Sequence, residues 1–244
     1  MAELETAAGK ATKALRQHQL PLEVRLRDDA TLDNFLALPS VEPLLEALRA
    51  QLGPDGESII YLYGPTGAGK SHLLQAAAQV GAVETLYLPL ADLRQYPPAD
   101  VLQGIEYADL VCLDDIQSVL GDAAWELALF NFYNLARQQG CKMLVAADVA
   151  PRVLAVGLED LRSRLSWGIV YQLAQGSDED KAIILSFRAA RRGLSLPSGV
   201  ASFIVSRAPR AMQQLLDVLD QLDEASLARQ RVLSIPFVKE TLGW

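Results

Sequence analysis

Eight consecutive residues, 64–71, constrain this chain more than any others. They read Gly-Pro-Thr-Gly-Ala-Gly-Lys-Ser, follow an apolar run at 58–63 and lead into an apolar, helix-forming stretch at 72–78. The glycines let a strand-to-helix turn close tightly with its N–H groups pointing inward, and the following helix adds its positive end. Such a turn binds phosphate groups, so the sequence predicts a site for ADP or ATP here.

Two side chains of this motif carry charge or metal chemistry. We expect Lys70 to reach the β- and γ-phosphates and the Ser71 hydroxyl to ligate Mg²⁺. A glycine-rich turn without a ligand is the plainer alternative. It gives no reason for the lysine, however, because a buried cation needs an anionic partner. The predicted phosphate-binding residues are Gly64, Pro65, Thr66, Gly67, Ala68, Gly69, Lys70, Ser71 and His72.

Two later apolar runs, at 109–115 and 142–148, end in carboxylates. In open α/β sheets, ligands bind beyond the carboxyl ends of the strands. We therefore assign Asp114 to Mg²⁺, Asp115 to the attacking water, and Asp148 to sensing the γ-phosphate or that water. The alternative at 114–115 is a pair of acids that caps the next helix.

The order of predicted elements indicates the fold class and the domains. Strands and helices alternate up to about residue 175, and only helices follow. This predicts an N-terminal extended segment at 1–23, an α/β domain at 24–175 with a parallel five-stranded sheet flanked by helices, and a small helical lid domain at 176–244. Within the α/β domain an amphipathic helix at 122–139 is expected to bury Trp125, Leu129, Phe132 and Leu135.

Composition excludes several classes of protein. The net charge is −8, no 18-residue apolar span occurs, and the two cysteines fit neither a disulfide framework nor a zinc site. We therefore expect a cytoplasmic protein without a membrane partner. Because neutralising phosphates requires clustered Lys and Arg, we expect it to meet DNA only indirectly, through protein partners.

The stretch Gln17-His18-Gln19-Leu20-Pro21-Leu22 has two interpretations. Its proline prevents a helix, so the segment is extended and carries two leucines. Those leucines either dock on the protein's own core or form a linear peptide for the apolar groove of a partner. The residues alone do not favour either interpretation.

A short helix predicted at 158–165 carries Arg162 and Arg164. An arginine at this point is either a surface charge or a guanidinium that enters a neighbour's nucleotide site, as an arginine finger does.

Taken together, these segments resemble the AAA+ ATPases of the bacterial replication-initiator (DnaA) family, and most closely its short paralogues that inactivate the initiator. The resemblance covers about residues 17–242. The segments that carry it are Asp33-Asn34-Phe35, GPTGAGKS at 64–71, LDDIQ at 113–117, AAD at 146–148, SRLSWG at 163–168 and IPFVK at 235–239.

The resemblance implies roles for several further residues. Asp33, Asn34 and Phe35 would contact the nucleotide, and Arg164 would act in trans as an arginine finger on the initiator. Gln17, Leu20 and Leu22 would anchor the chain to the DNA polymerase sliding clamp (its β subunit). One departure concerns the lid, where the family has an arginine and this chain has Gln213-Gln214-Leu215. Arg210, about one turn earlier, is the nearest candidate to replace it, and this departure implies weak intrinsic ATP turnover.

The resemblance thus implies a nucleotide-bound regulator that docks on the clamp and stimulates ATP hydrolysis by the initiator DnaA. The alternative is an initiator-like or helicase-loader-like ATPase that acts by its own oligomerisation and turnover on DNA. A full initiator needs a basic C-terminal helix-turn-helix, and we expect none because the sequence stops at Trp244. Whether the protein forms homo-oligomers stays open.

Overall fold

The computed structural model describes residues 26–51, 53, 56–80 and 83–244. The predicted clamp peptide, with Gln17, Leu20 and Leu22, lies outside the described residues. The strands are β1 (Ile59–Tyr63), β2 (Thr85–Pro89), β3 (Leu110–Asp114), β4 (Lys142–Ala147) and β5 (Ile169–Gln172). The helices are α1 (Glu42–Gln51), α2 (Lys70–Gln79), α3 (Leu90–Leu93), α4 (Pro98–Leu102), α5 (Ala123–Gln139), α6 (Glu159–Leu165), α7 (Asp178–Arg191), α8 (Ser198–Arg207), α9 (Met212–Arg229) and α10 (Ile235–Leu242).

The five strands form one parallel sheet in the order β2-β3-β4-β1-β5. The prediction of a parallel five-stranded sheet flanked by helices is confirmed. The carboxyl ends of β3, β4 and β1, three adjacent strands, therefore lie side by side at one edge. The motif residues that follow these strands meet there.

Both faces of the sheet are buried at its three central strands, β1, β3 and β4, as is typical of a parallel sheet. Alternate residues of each strand point to opposite sides. One side packs on α5 and α6 and the other on α1 and α2. The first face includes Tyr61, Val111, Leu113, Met143 and Val145. The second includes Ile60, Leu62, Cys112, Leu144 and Ala146.

Helix α5 follows the predicted pattern except at its end. Asp122 caps its first turn, and Trp125, Leu129 and Phe132 are buried. Leu135 is 42% exposed, so its assignment to the buried face is wrong. A step of three residues falls about 60° short of a full turn of a helix. The two such steps from Leu129 to Phe132 and from Phe132 to Leu135 therefore place Leu135 outside the apolar stripe.

The segment after β5 is entirely helical and has its own core. Ser177 and Asp180 form a capping box that starts α7. The core of this lid includes Leu185, Ala201, Ile204, Leu215, Leu219 and Phe237. Nowhere in the described ranges is a helix both long and apolar enough to cross a bilayer.

Candidate functional site

The phosphate loop, residues 64–71, joins β1 to α2 at the carboxyl edge of the sheet. A Cβ on Gly64 would lie 2.1 Å from the Leu173 carbonyl oxygen, so only glycine fits beside the end of β5. Gly69 has φ of +100°, and a Cβ there would lie 2.9 Å from the Phe35 ring. The two glycines therefore let neighbouring segments close around the loop.

Lys70 is the first residue of α2 and is only 7% exposed. Its Nζ donates to the carbonyl oxygens of Gly64 (2.7 Å) and Pro65 (3.1 Å). No carboxylate of the described residues lies within ion-pair distance of this ammonium group. A buried cation held only by carbonyls is suited to an anionic ligand such as phosphate.

Asp114 ends β3 and is 2% exposed. Its Oδ2 accepts from the Tyr87 hydroxyl (2.7 Å) and its Oδ1 from the Asp115 N–H (3.0 Å). Burial raises the pKa of the Asp114 carboxyl above its ordinary value, while the nearby Ser71 and Tyr87 hydroxyls and the Asp115 N–H oppose the rise.

The Ser71 side chain lies beside Asp114 and lowers the pKa of that carboxyl. A hydroxyl oxygen beside a buried carboxylate fits Mg²⁺, which is held by few protein oxygens and completes its shell with waters and substrate phosphates. The described part of the chain holds no cluster of three or more acidic, histidine or cysteine residues that could bind a metal alone. Ser71 and Asp114 would therefore hold Mg²⁺ together with a nucleotide.

The other two acids differ in environment. Asp115 adopts a left-handed backbone conformation with φ of +52°, and its Oδ1 accepts from Gln117 Nε2 at 3.0 Å. Asp148 follows β4 and is exposed. Both stand at the carboxyl edge of the sheet, as predicted, and their assigned roles stay predictions.

Asp33 and Asn34 lie in a 3-10 turn, Leu32–Asn34, beside α2, and Phe35 follows it in extended conformation. The Phe35 ring lies 5.6 Å from that of His72, centroid to centroid. His72 Nε2 is 3.0 Å from the Thr31 carbonyl oxygen, and burial lowers the pKa of this histidine. Asp33 is exposed. His72 thus fixes the turn beside the loop.

Residues 27–35, here called the entry segment, also contact the lid. The buried Arg188 of α7 donates to the Asn34 carbonyl oxygen (3.1 Å) and pairs with Asp29. Arg191 Nε donates to Asn34 Oδ1 at 3.3 Å. Burial alone would raise the pKa of Asp29, but the Arg27 and Arg188 guanidinium groups hold it below its ordinary value. Asn34 therefore connects the two domains.

The first turn of α9 lies beside the phosphate loop. A Cβ on Gly67 would be 4.0 Å from the Met212 nitrogen. Next to it, Gln213 Oε1 accepts from Arg27 Nη1. Arg210, predicted as the lid cation, is exposed and precedes the helix by two residues.

Arg164, near the end of α6, is partly buried. Its guanidinium stands 4.6 Å from the centroid of Trp167, 5.5 Å from that of Tyr133 and 5.8 Å from that of Phe130. Trp167 itself is 57% exposed. We call these three rings the aromatic cluster. Stacking of this kind orients an arginine at the surface.

Arg162 differs from Arg164 in its contacts. It pairs with Glu159 at 2.9 Å and donates to the Val156 carbonyl oxygen. These bonds fix the loop that precedes α6. Arg162 therefore has a structural role, so a variant at this position would not be a neutral control for Arg164.

The arginine box at 163–168 lies at the opposite edge of the sheet from the phosphate loop. Ile169 pairs with Ile60 near the amino end of β1, and Gln172 pairs with Tyr63 at its carboxyl end. Four residues of strand span about 13 Å. Arg164 therefore stands on the side of the molecule away from the chain's own phosphate loop.

Several residues at the site have no motif that identifies them. Tyr87 reaches Asp114 because β2 pairs with β3 in a register that sets Tyr87 opposite Cys112. Arg27 and Arg188 are brought in by the entry segment and the lid. Only the strand register and the domain packing reveal these contacts.

Two family models match the chain. Residues 91–172 match the bacterial DnaA ATPase domain, and residues 178–242 match the lid domain of Hda. A protein of Haemophilus influenzae that is described as uncharacterised is 42% identical over 229 residues, covering 92% of this chain and 98% of that protein.

Solved structures of the same fold include domain III of the Thermotoga maritima replication initiation protein DnaA. It has a TM-score of 0.74 at 22% identity and covers 90% of this chain and 98% of that one. AMPPCP-bound DnaA from Aquifex aeolicus has a TM-score of 0.70 at 22% identity, with coverage of 82% and 67%. The Thermotoga maritima RuvB branch migration motor has a TM-score of 0.64 at 20% identity, with coverage of 88% and 71%. At these identities the likeness shows the fold alone.

Proposed function

Because this chain belongs to the DnaA-related AAA+ ATPases and carries a lid of the Hda type, we propose that it is a nucleotide-bound regulator of replication initiation. It docks on the sliding clamp and stimulates ATP hydrolysis by the initiator DnaA. The initiator is thereby converted to its ADP form, which prevents re-initiation.

The observation that supports nucleotide binding is the buried Lys70 ammonium, which contacts only carbonyl oxygens. A phosphate would supply the missing anion, and the loop N–H groups and the α2 N-terminus add to the same field. The solved DnaA from Aquifex aeolicus binds AMPPCP. ADP and ATP share the β-phosphate, so the loop accepts both.

The position of Arg164 supports action on a partner. It lies at the sheet edge opposite the chain's own phosphate loop, and the aromatic cluster holds its guanidinium at the surface. From there it can reach a γ-phosphate only in another molecule. An arginine finger stabilises the charge that develops on a transferring phosphoryl group.

Clamp docking is assigned to Gln17, Leu20 and Leu22 by resemblance alone. We predict that replacing all three by Ala abolishes clamp binding without shifting the thermal unfolding temperature, because a presented peptide packs outside the core. Surface plasmon resonance on immobilised clamp measures the binding, and a thermal unfolding experiment measures the unfolding temperature. A variant that unfolds early yet still binds the clamp would show that the leucines pack internally.

The decisive experiment measures ATP hydrolysis by purified DnaA with this protein and DNA-loaded clamp, and with each omitted. Stimulation is expected only when all components are present. Turnover by the isolated protein is measured alongside under single-turnover conditions. Fast hydrolysis without DnaA would favour the alternative, an ATPase that acts by its own oligomerisation.

A further inference from the structure

The carboxylate proposed for Mg²⁺ is linked to the lid by a series of hydrogen bonds that passes, at Arg27, along the side chain of that residue. The Tyr87 hydroxyl donates to Asp114 Oδ2 at 2.7 Å. Gln75 Nε2 donates to the same hydroxyl at 3.2 Å, and Gln75 Oε1 accepts from the Arg27 N–H at 3.0 Å. The Arg27 guanidinium then donates to Gln213 Oε1 on the first turn of α9.

Tyr87, Gln75 and Gln213 each lie on a strand or helix, and α2 holds the backbone of Arg27. Tyr87 lies on β2 opposite Cys112 of β3, so it shares a sheet face with Asp114, two residues further along. Gln75 is buried in α2, one turn after Ser71. Gln79 Nε2 also donates to the Arg27 carbonyl oxygen, so α2 holds Arg27 through two side chains.

The hydroxyl of Tyr87 limits how Asp114 can turn. A carboxylate has two oxygens, and here one is engaged by a phenol while the other accepts a backbone N–H. A hydrogen bond to an ionised group is stronger than one between neutral groups. Removing the hydroxyl leaves the buried carboxylate with one donor fewer and free to rotate away from Ser71.

We propose that Tyr87 is a positioning residue of the nucleotide site, which orients Asp114 for the metal and, through Gln75 and Arg27, couples that carboxylate to the lid helix α9. This inference rests on the proposed binding of Mg²⁺ and nucleotide. Tyr87, Gln75 and Arg27 are not among the residues predicted to bind the nucleotide or the metal.

The first test uses Tyr87→Phe, which removes one oxygen atom and keeps the ring. ADP affinity is measured by isothermal titration with Mg²⁺ and with EDTA. The variant is expected to lose roughly 10-fold in affinity with Mg²⁺ and to match the wild type in EDTA. A merely structural defect would lower both affinities together. Electron paramagnetic resonance of the Mn²⁺–ADP complex should change in the variant, because a rotated carboxylate alters the metal's ligand field.

A matched control is Tyr63→Phe, which also removes a phenolic hydroxyl, one that donates to Gln172 on the outer strand β5. It should leave both affinities unchanged. Wild-type protein that binds no ADP in either condition overturns the proposed function and this inference together. Wild-type protein that binds MgADP while Tyr87→Phe binds it equally overturns the inference alone.

The coupling to the lid is tested by a double-mutant cycle of Tyr87→Phe and Gln213→Ala. If the chain of hydrogen bonds acts as a unit, the double variant loses less MgADP affinity than the sum of the single losses. Hydrogen exchange of the α9 amides should slow when MgADP binds the wild type, and this protection should be smaller in Tyr87→Phe. If the losses of MgADP affinity are additive and the protection of the α9 amides is the same in Tyr87→Phe as in the wild type, the lid is not coupled to Asp114.

Discussion

Lys70 is buried with no described anion beside it, which makes it the residue most dependent on a ligand. Its two carbonyl contacts hold the side chain, but they do not neutralise its charge. Burying the Lys70 ammonium group therefore costs free energy in the free protein, and attraction to a bound phosphate would offset that cost.

We predict that Lys70→Ala weakens ADP binding about 30-fold or more, since it removes one partner of a buried charged hydrogen bond. The unfolding temperature of the free protein should stay the same or rise, because an uncompensated cation is lost. Isothermal titration and thermal unfolding measure the two effects. The control is Lys239→Ala, which removes an exposed lysine of the lid. Unchanged ADP affinity in Lys70→Ala would mean that the loop does not bind phosphate.

Much of the site could be predicted at this level because its residues follow strands at fixed motif positions. The motif placed Lys70, Ser71 and Asp114 at one edge of the sheet, and the structure brings them together. It could not place Tyr87, whose contact with Asp114 depends on strand register. It also could not foresee that Asn34 would bond to the lid, since that contact joins residues more than 150 positions apart.

Among the elements, the start of α6 is held in place by one buried carboxylate of α5. Glu126 is 4% exposed and accepts from the N–H groups of Gly121 (2.8 Å), Gly157 (3.0 Å) and Leu158 (2.7 Å). Burial alone would raise the pKa of Glu126, but these donors hold it below its ordinary value. The loop that leads into α6 is therefore fixed by a charge.

We predict that Glu126→Gln destabilises the protein by roughly 2 kcal/mol, because an amide oxygen accepts these N–H groups more weakly than a carboxylate. The sign of the pH dependence follows from the lowered pKa. The contribution of Glu126 is complete above the ordinary range of a glutamate and is lost as the pH falls through the depressed folded value. Urea unfolding at pH 7 and in acid should thus show a gap between variant and wild type that narrows in acid. A gap that is constant with pH would contradict this account.

Sequence periodicity predicted three of the four apolar side chains assigned to the buried face of α5. Trp125, Leu129 and Phe132 recur within one apolar stripe, whereas Leu135 falls outside it. The alternation of strands and helices predicted the sheet because parallel strands need crossover helices. Strand order could not be read from the sequence, since it is set by how the crossovers pack.

In the whole molecule, the lid is held to the α/β domain through the entry segment. Arg188 links Asn34 and Asp29 to α7, and Arg27 links α2 to α9. The same segment places Phe35 against the phosphate loop. Lid position and nucleotide contacts therefore depend on one short stretch of chain.

We predict that Arg188→Ala loosens the lid and costs roughly 2 kcal/mol of stability, because it removes charged hydrogen bonds to Asn34 and Asp29. ADP should dissociate faster, which stopped-flow displacement of a fluorescent analogue measures. The matched control is Arg192→Ala, which breaks an ion pair with Asp220 inside the lid. Equal effects of the two variants on ADP dissociation would show that the entry segment does not link the lid to the site.

The last prediction concerns assembly with the initiator. Arg164→Ala should reduce stimulation of DnaA ATP hydrolysis on the order of 10³-fold, the scale of an arginine finger, while ADP and clamp affinities stay unchanged. Since its guanidinium stacks on the aromatic cluster, the variant should also lose about 1 kcal/mol of stability. Arg164→Lys should restore little stimulation, because an ammonium group lacks the planar fork. Arg207→Ala is the control. It also removes an arginine that stacks on an aromatic ring, in this case the ring of Phe203 in the lid. Full stimulation by Arg164→Ala would exclude action in trans through this residue.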